Sequence, residues 1–170
     1  LTLPSHATIL TGLYPYQHGV RENSGYRLPA ETRTAARLFK GAGYDTAAFV
    51  SGFPLQARFG VNTGFDVYDD QFGDGTGGDA FRLSERPASV TVPRARTWID
   101  GRAKGGAAPW FTWLHVFDPH APYQPPAPFN ATFADRPYFG EVSAVDASLA
   151  PLFEALRRAP TSTLVVLTSD

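Results

Sequence analysis

The sequence predicts an α/β fold in which helices flank a mostly parallel sheet. Segments with strand character, at 45–50, 110–117 and 163–168, alternate with segments whose apolar residues recur at helical spacing. Such alternation is typical of parallel strands joined by helices. The strand segments are nearly continuous apolar runs, as expected for parallel strands that are buried on both faces. We therefore expect ligand-binding side chains beyond the carboxyl ends of these strands.

The first predicted element is a short helix at the start of the chain. Ser5 is a suitable N-cap and Gly12 a suitable C′ residue, because a hydroxyl accepts free N–H groups and glycine adopts the left-handed conformation that ends many helices. Thr2 would then lie just before a helix N-terminus, where free N–H groups and the helix dipole favour an anionic group. A nucleophile that attacks phosphate or sulfate benefits from this position.

Three further helices are predicted at 32–40, 93–103 and 140–158. The second begins at Pro93, and the third contains Pro151, where we expect a kink or a break because proline cannot donate the helical hydrogen bond. The predicted apolar faces comprise Ala35, Leu38 and Phe39 in the first helix, Ala95, Trp98 and Ile99 in the second, and Val142, Val145, Leu149, Leu152, Phe153 and Leu156 in the third.

Two loops are predicted from glycine and proline. The segment 73–80 contains four glycines together with Asp74 and Asp79, which indicates a loop, with an aspartate-rich calcium site as the alternative. The segment from Pro119 to Pro128 is rich in proline. It follows a strand in which Phe111, Trp113, His115 and Phe117 alternate on one face.

Charge, cysteine content and the length of apolar runs exclude several kinds of site and segment. The 170 residues carry a formal net charge of −1 and no cysteine. The near-neutral charge gives no basic surface for nucleic acid, so no nucleic-acid binding is expected. The lack of cysteine excludes disulfides and cysteine-ligated zinc. No apolar run approaches the ~20 residues of a membrane helix.

A set of short motifs near the start of the chain carries a family resemblance. The motifs are Thr-Leu-Pro-Ser-His at 2–6, Thr-Gly-Leu-Tyr-Pro at 11–15 and His-Gly at 18–19, followed by Asn23. Together they resemble the nucleophile signature of the sulfatase family in the alkaline phosphatase superfamily, in particular the threonine branch that includes nucleotide pyrophosphatases/phosphodiesterases. Thr2 stands in the nucleophile position. With no cysteine in the chain, a cysteine-derived formylglycine is excluded.

The resemblance implies roles for Thr2 and Asn23. Thr2 would attack the substrate and form a covalent intermediate, and because a threonine hydroxyl is a weak nucleophile it needs a base or a metal to activate it. Asn23 would donate a hydrogen bond to an oxygen of the transferring group. The alternatives are an N-capping threonine and an asparagine in an Asn-Ser-Gly turn.

Five other side chains are candidates. His6 and His18 are expected to be structural, His18 by closing a turn with Gly19. His115, Asp118 and His120 would suit a metal by residue type. The resemblance implies a narrower role, which falls on His120. Sulfatases commonly carry Pro-His-x-Pro after a strand, and residues 119–122 match this pattern.

By this resemblance His120 would assist the leaving group. His115 is expected to pack inside, with support of a neighbouring site residue as the alternative. The lysine that sulfatases commonly carry just before this strand is absent, because Ala108 precedes Pro109-Trp110. Lys104 is a doubtful substitute, so an arylsulfatase in particular is disfavoured.

Asp170 follows the predicted strand at 163–168, where the superfamily carries Asp-His-Gly with two metal ligands. The resemblance implies that Thr2 and Asp170 bind a divalent metal ion, and a carboxylate is compatible with zinc, calcium, magnesium or manganese. The alternative is a terminal acidic residue without a ligand role.

We expect residues 1–170 to be a single fragment of an alkaline-phosphatase-like catalytic domain, truncated at both ends and inactive alone. The parent would be a metal-dependent hydrolase of small anionic esters, and threonine favours phosphodiester or phosphonate substrates over sulfate. The alternatives are a phosphoethanolamine-type group transferase and a non-catalytic binding module that retains the fold. Periplasmic, extracellular and membrane-anchored locations all remain open.

Overall fold

A parallel sheet of three strands forms the centre of the computed structural model, which describes residues 1–72, 85–102 and 108–170. The strands are β1 (Asp45–Phe49), β2 (Val67–Asp69) and β3 (Trp110–Leu114), in the spatial order β2-β1-β3. In the register, Ala47 of β1 lies beside Val67 on one side and Thr112 on the other. The predicted α/β fold with parallel strands is confirmed.

Six α-helices flank the sheet in the described part of the chain: α1 (Thr2–Thr11), α2 (Pro15–His18), α3 (Ala35–Gly41), α4 (Ala88–Arg102), α5 (Phe129–Thr132) and α6 (Pro137–Arg158). The two faces of β3 contact different layers. Trp113 packs against the core cluster that holds α1, whereas Trp110 and Leu114 pack against the cluster formed by α4 and α6. The sheet is therefore covered on both faces, which agrees with its apolar composition.

α1 begins earlier than the sequence predicted. It starts at Thr2, so Ser5 lies inside the first turn and is not the N-cap, and no side chain of Leu1 caps the helix. Pro4 is tolerated there because the first-turn N–H groups have no helical partners. The predicted end is confirmed, since Gly12 adopts a φ of 69° and its N–H bonds to Thr8 at 2.8 Å.

The bounds and faces of the longer helices also differ from the predictions. α4 begins at Ala88 and runs through Pro93, and α6 runs through Pro151 without the expected break. Ala95 and Ile99 are buried as predicted. In α3 the buried residue is Ala36, whereas Leu38 is 54% exposed. The spacing located these helices, but their ends and orientation depend on contacts from distant segments.

The predicted strand at 163–168 is not formed. The segment has no strand assignment, and its apolar side chains are exposed, with Leu164 at 88% and Leu167 at 83%. A strand requires a hydrogen-bonded neighbour, and none of the described residues pairs with this segment. Conversely, β2 was not predicted from the sequence, because three residues are too few to show the apolar pattern of a strand.

Some expectations lie outside the described residues. They are the loop at 73–80 with its alternative calcium site, and the doubtful substitute Lys104. Among the described residues, no helix is both long and apolar enough to cross a membrane.

Candidate functional site

The first turn of α1 receives a side chain from 20 residues further along the chain. The Asn23 side-chain oxygen accepts the backbone N–H of Leu3 at 2.8 Å, and so satisfies one of the free N–H groups at the helix start. Asn23 therefore lies next to Thr2, and its amide NH₂ group makes no hydrogen bond to the described residues. The Thr2 hydroxyl likewise has no hydrogen bond within the described chain. Two polar groups at one helix end are thus free for a ligand.

His6 lies one turn further along α1 and is 6% exposed. Its Nδ1 is 2.8 Å from the carbonyl oxygen of Thr2, and since a carbonyl only accepts, Nδ1 carries a proton and donates it. Burial lowers the pKa of His6, against the opposing effects of the Thr2 carbonyl and Asp170. The structural role expected for His6, a hydrogen bond to nearby backbone, is therefore present.

Asp170 approaches the same helix from the other end of the chain. Its Oδ2 lies 3.9 Å from Nδ1 of His6, which is too long for a hydrogen bond. The carboxylate accepts no hydrogen bond from the described residues, so its oxygens are free. Through His6, Asp170 thus lies in the surroundings of Thr2.

His115 follows β3 and is buried, as expected. Its ring meets the ring of His6 edge-on, with 4.8 Å between the ring centres, and its Nδ1 faces the N–H of Ser51 at 3.4 Å. Burial, together with nearby His6, lowers the pKa of His115 to about 3. His115 is therefore neutral at pH 7 and packs against His6 from the sheet side.

His120 is exposed on the proline-rich loop after β3. Its ring stacks on Phe117, with 4.2 Å between the ring centres. Nδ1 lies 2.8 Å from the carbonyl oxygen of Ala121, so Nδ1 donates there and Nε2 is the nitrogen left for a ligand. The described polar contacts of His120 are with its own loop and with Glu141, not with Thr2, Asn23 or Asp170.

The three residues His115, Asp118 and His120 do not form a metal site. Asp118 Oδ2 accepts the N–H of Ala88 at 2.8 Å and so caps the N-terminus of α4. His115 is turned toward His6, and His120 is exposed on its loop. Among the described residues, no group of three or more His, Cys, Asp or Glu side chains is arranged to hold a metal ion.

His18 closes a turn, as predicted. It ends α2 and is followed by Gly19, whose φ is 80°. Its Nδ1 accepts the N–H of Val20 at 3.1 Å, and its Nε2 lies 3.1 Å from the Thr8 hydroxyl. Burial lowers the pKa of His18, so the ring is neutral and ties α2 to α1.

The sequence did not identify Glu141 as part of this region. Glu141 is 6% exposed on α6, and its carboxylate accepts backbone N–H groups of the loop that carries His120. A signal was present, because Glu141 has the same helical spacing as Val145 and Leu149, which pack inward. A carboxylate on an apolar helix face is rare unless it is paired.

Comparisons with known proteins bear on the family and on the fold. A family model described as Sulfatase matches residues 1–170. No curated protein matches the chain significantly. The solved structures that share the fold include the following three. The protein Ps i-CgsB, in complex with k-i-k-neocarrahexaose, has a TM-score of 0.71 and 21% identity over 94% of this chain and 45% of that one.

The second structure is a phosphonate monoester hydrolase of Agrobacterium radiobacter, with a TM-score of 0.69 and 18% identity over 94% of this chain and 50% of that one. The third is the putative sulfatase yidJ of Bacteroides fragilis, with a TM-score of 0.70 and 17% identity over 94% of this chain and 49% of that one. The chain thus spans about half the length of these structures.

Proposed function

Because the chain belongs to the sulfatase family, we propose that the protein carrying it is a metal-dependent hydrolase of phosphate or sulfate esters in which Thr2 is the nucleophile. The observation that carries the proposal is the assembly at the first turn of α1. There Asn23 accepts the N–H of Leu3. Asp170 approaches His6, whose Nδ1 donates to the backbone carbonyl of Thr2. Groups from three distant parts of the sequence meet at one helix end.

The donor set suits a divalent metal ion. Thr2 and Asp170 offer a hydroxyl and a carboxylate, neither of which is hydrogen-bonded to other described residues. Oxygen donors of this kind suit zinc, calcium, magnesium or manganese. These two residues would hold the ion together with ligands from outside the described residues. A bound divalent ion lowers the pKa of a hydroxyl that it contacts.

Each residue then has a defined task. The Thr2 hydroxyl loses its proton to water, and its oxygen attacks the phosphorus or sulfur atom while the bond from that atom to the leaving oxygen breaks. Water then attacks the same atom, which releases the product anion and restores the Thr2 hydroxyl. The free amide NH₂ of Asn23 donates to a non-bridging oxygen, where negative charge develops. For His120 to assist the leaving group, its ring must carry a proton on both nitrogens, because Nδ1 donates to the Ala121 carbonyl. Nε2 then gives its proton to the leaving oxygen. The described contacts of His120 do not include Thr2, so the substrate would have to span both groups.

Phosphodiesters or phosphonate monoesters are the proposed substrates. A formylglycine hydrate can expel sulfate from its own intermediate, whereas a sulfate ester of threonine must be displaced by water. Since the chain contains no cysteine, Thr2 favours phosphoryl over sulfuryl transfer. The partners would be small anionic esters.

The test is the kinetics of Thr2 variants in the full-length protein, with phosphodiester, phosphonate and sulfate esters as substrates. Thr2→Ala should abolish turnover, and Thr2→Ser should retain part of it because the hydroxyl survives. Chelation should remove activity and a divalent ion restore it. Thr97→Ala, at an exposed threonine of α4, is the control and should behave as wild type. Near-normal kcat in Thr2→Ala would contradict the proposal.

A further inference from the structure

The carboxylate of Glu141 joins α6 to the loop that carries His120. Its Oε2 accepts the N–H of His120 at 3.2 Å, and its Oε1 accepts the N–H of Gln124 at 2.6 Å. We propose that Glu141 is a positioning residue that fixes His120 for leaving-group assistance, an inference that rests on the function proposed above. Both carboxylate oxygens are used, so one side chain holds two points of the loop.

The charge of Glu141 has no basic partner among the described residues, where no Lys, Arg or His forms an ion pair with it. A buried carboxylate is costly unless hydrogen bonds compensate for the lost water. Here the two loop N–H groups provide this compensation, since hydrogen bonds to a charged acceptor are the stronger kind. Without the carboxylate, the N–H groups of His120 and Gln124 would lose their acceptor. Glu141 therefore ties the loop to α6 in addition to packing on the helix face.

The loop is also seated on α6 beside Glu141. A Cβ added to Gly140 would lie 2.7 Å from Cγ of Pro125, closer than real side chains allow. The absence of a side chain at Gly140 therefore lets the loop lie directly against the helix. Glu141 and Gly140 together hold the stretch from His120 to Pro125.

The other end of the loop is fixed to a different helix. Asp118 accepts the N–H of Ala88 at the start of α4. His120 thus lies between an anchor on α4 and an anchor on α6. Its ring is further oriented by stacking on Phe117 and by the hydrogen bond from Nδ1 to the carbonyl of Ala121. Nε2 lies on the other side of the ring from this hydrogen bond.

Fixing the loop matters because proton donation is sensitive to distance. A catalytic group must be held within about 0.5 Å of its productive position, and a small displacement costs rate even far from the reacting atoms. His120 is exposed, so packing does not hold its backbone. Glu141 supplies the restraint instead.

Hydrogen exchange tests the clamp without reference to activity. The variant is Glu141→Gln in the full-length protein, which keeps one acceptor but turns an NH₂ group toward the second loop N–H. Amides in 118–126 should exchange about 10-fold faster or more, as expected for a lost hydrogen bond to a charged group. The prolines of this segment lack N–H groups, so few amides contribute to the signal. Glu154→Gln is the matched control, because Glu154 lies on the same helix and pairs with Arg157 and Arg158 near the surface.

Kinetics with two leaving groups tests the positioning role. Glu141→Gln should lower kcat/KM about 10-fold for a phosphonate or phosphodiester whose leaving group is phenol. The loss should be much smaller when the leaving group is 4-nitrophenol, which needs little proton donation. His120→Ala should show the same selectivity with a larger loss. The double variant should be no worse than His120→Ala, because Glu141 acts through His120.

The outcomes separate this inference from the proposed function. Equal losses for both esters, additive losses in the double variant, or unchanged exchange in 118–126 would each overturn the role of Glu141. If the wild-type protein hydrolysed none of the esters, the proposed function would fail, and the exchange measurement would still decide whether Glu141 holds the loop.

Discussion

Two segments bring side chains to the candidate site, and they are held in different ways. α1 buries Leu3, Ala7 and Leu10 in the core and receives Asn23 through a hydrogen bond. The segment 163–170 exposes its apolar side chains and reaches the site through the 3.9 Å approach of Asp170 to His6. The position of Thr2 is therefore set by packing inside the described chain, whereas that of Asp170 is not.

The largest expected effect is on the packing of α1. Leu3 is fully buried beside Thr2, so Leu3→Ala should lower the free energy of unfolding by roughly 2–5 kcal/mol, the usual cost of such a cavity. Urea unfolding of the full-length protein measures this. A loss below about 1 kcal/mol would mean that packing does not hold the first turn.

The next effect is catalytic. Asn23→Ala removes the proposed oxyanion donor and should lower kcat by about 10²-fold. Steady-state kinetics checks this, with Asn62→Ala as a control outside the site. Unchanged kcat in a folded Asn23→Ala protein would assign Asn23 to capping α1 alone.

A smaller effect on stability is expected at Asp170. Asp170→Asn replaces a negative ligand by a neutral one and should weaken binding of a divalent ion, which calorimetric titration of the full-length protein measures. The apo protein should lose little stability, since Asp170 accepts no hydrogen bond within the described residues. Asp146→Asn, at an exposed carboxylate of α6, should leave the affinity unchanged. Equal affinities for wild type and Asp170→Asn would remove Asp170 from the ligand set.

The smallest effect is expected in the exposed run before Asp170. Leu167 is 83% exposed, so Leu167→Ala should change the free energy of unfolding by no more than about 0.5 kcal/mol. A cost comparable to that of Leu3→Ala would show that this run is buried in the full-length protein, and the contrast between the two segments would disappear.

The features that the sequence predicted are those determined by nearby residues. Gly12 ends α1, and His18 with Gly19 closes a turn, because each depends on contacts within about ten positions. The parallel strands β1 and β3 follow from short, largely apolar segments. The motif around Thr2 located the helix that organises the site.

The features that were missed depend on partners far along the chain. Ser5 was expected to cap α1, but Asn23 binds the N–H of Leu3 from 20 positions away. Asp118 had the residue type of a metal ligand, but its carboxylate caps α4. The apolar run at 163–168 had strand composition, but no described strand pairs with it. Local pattern does not contain these pairings.

The most direct test of the central claim is to look for the covalent intermediate on Thr2. The full-length protein is acid-quenched during turnover of a phosphonate or phosphodiester substrate, and its peptides are analysed by mass spectrometry. We expect the added group on Thr2, and none in Thr2→Ala. Turnover with Thr2 unmodified, or with the group on another residue, would contradict Thr2 as the nucleophile.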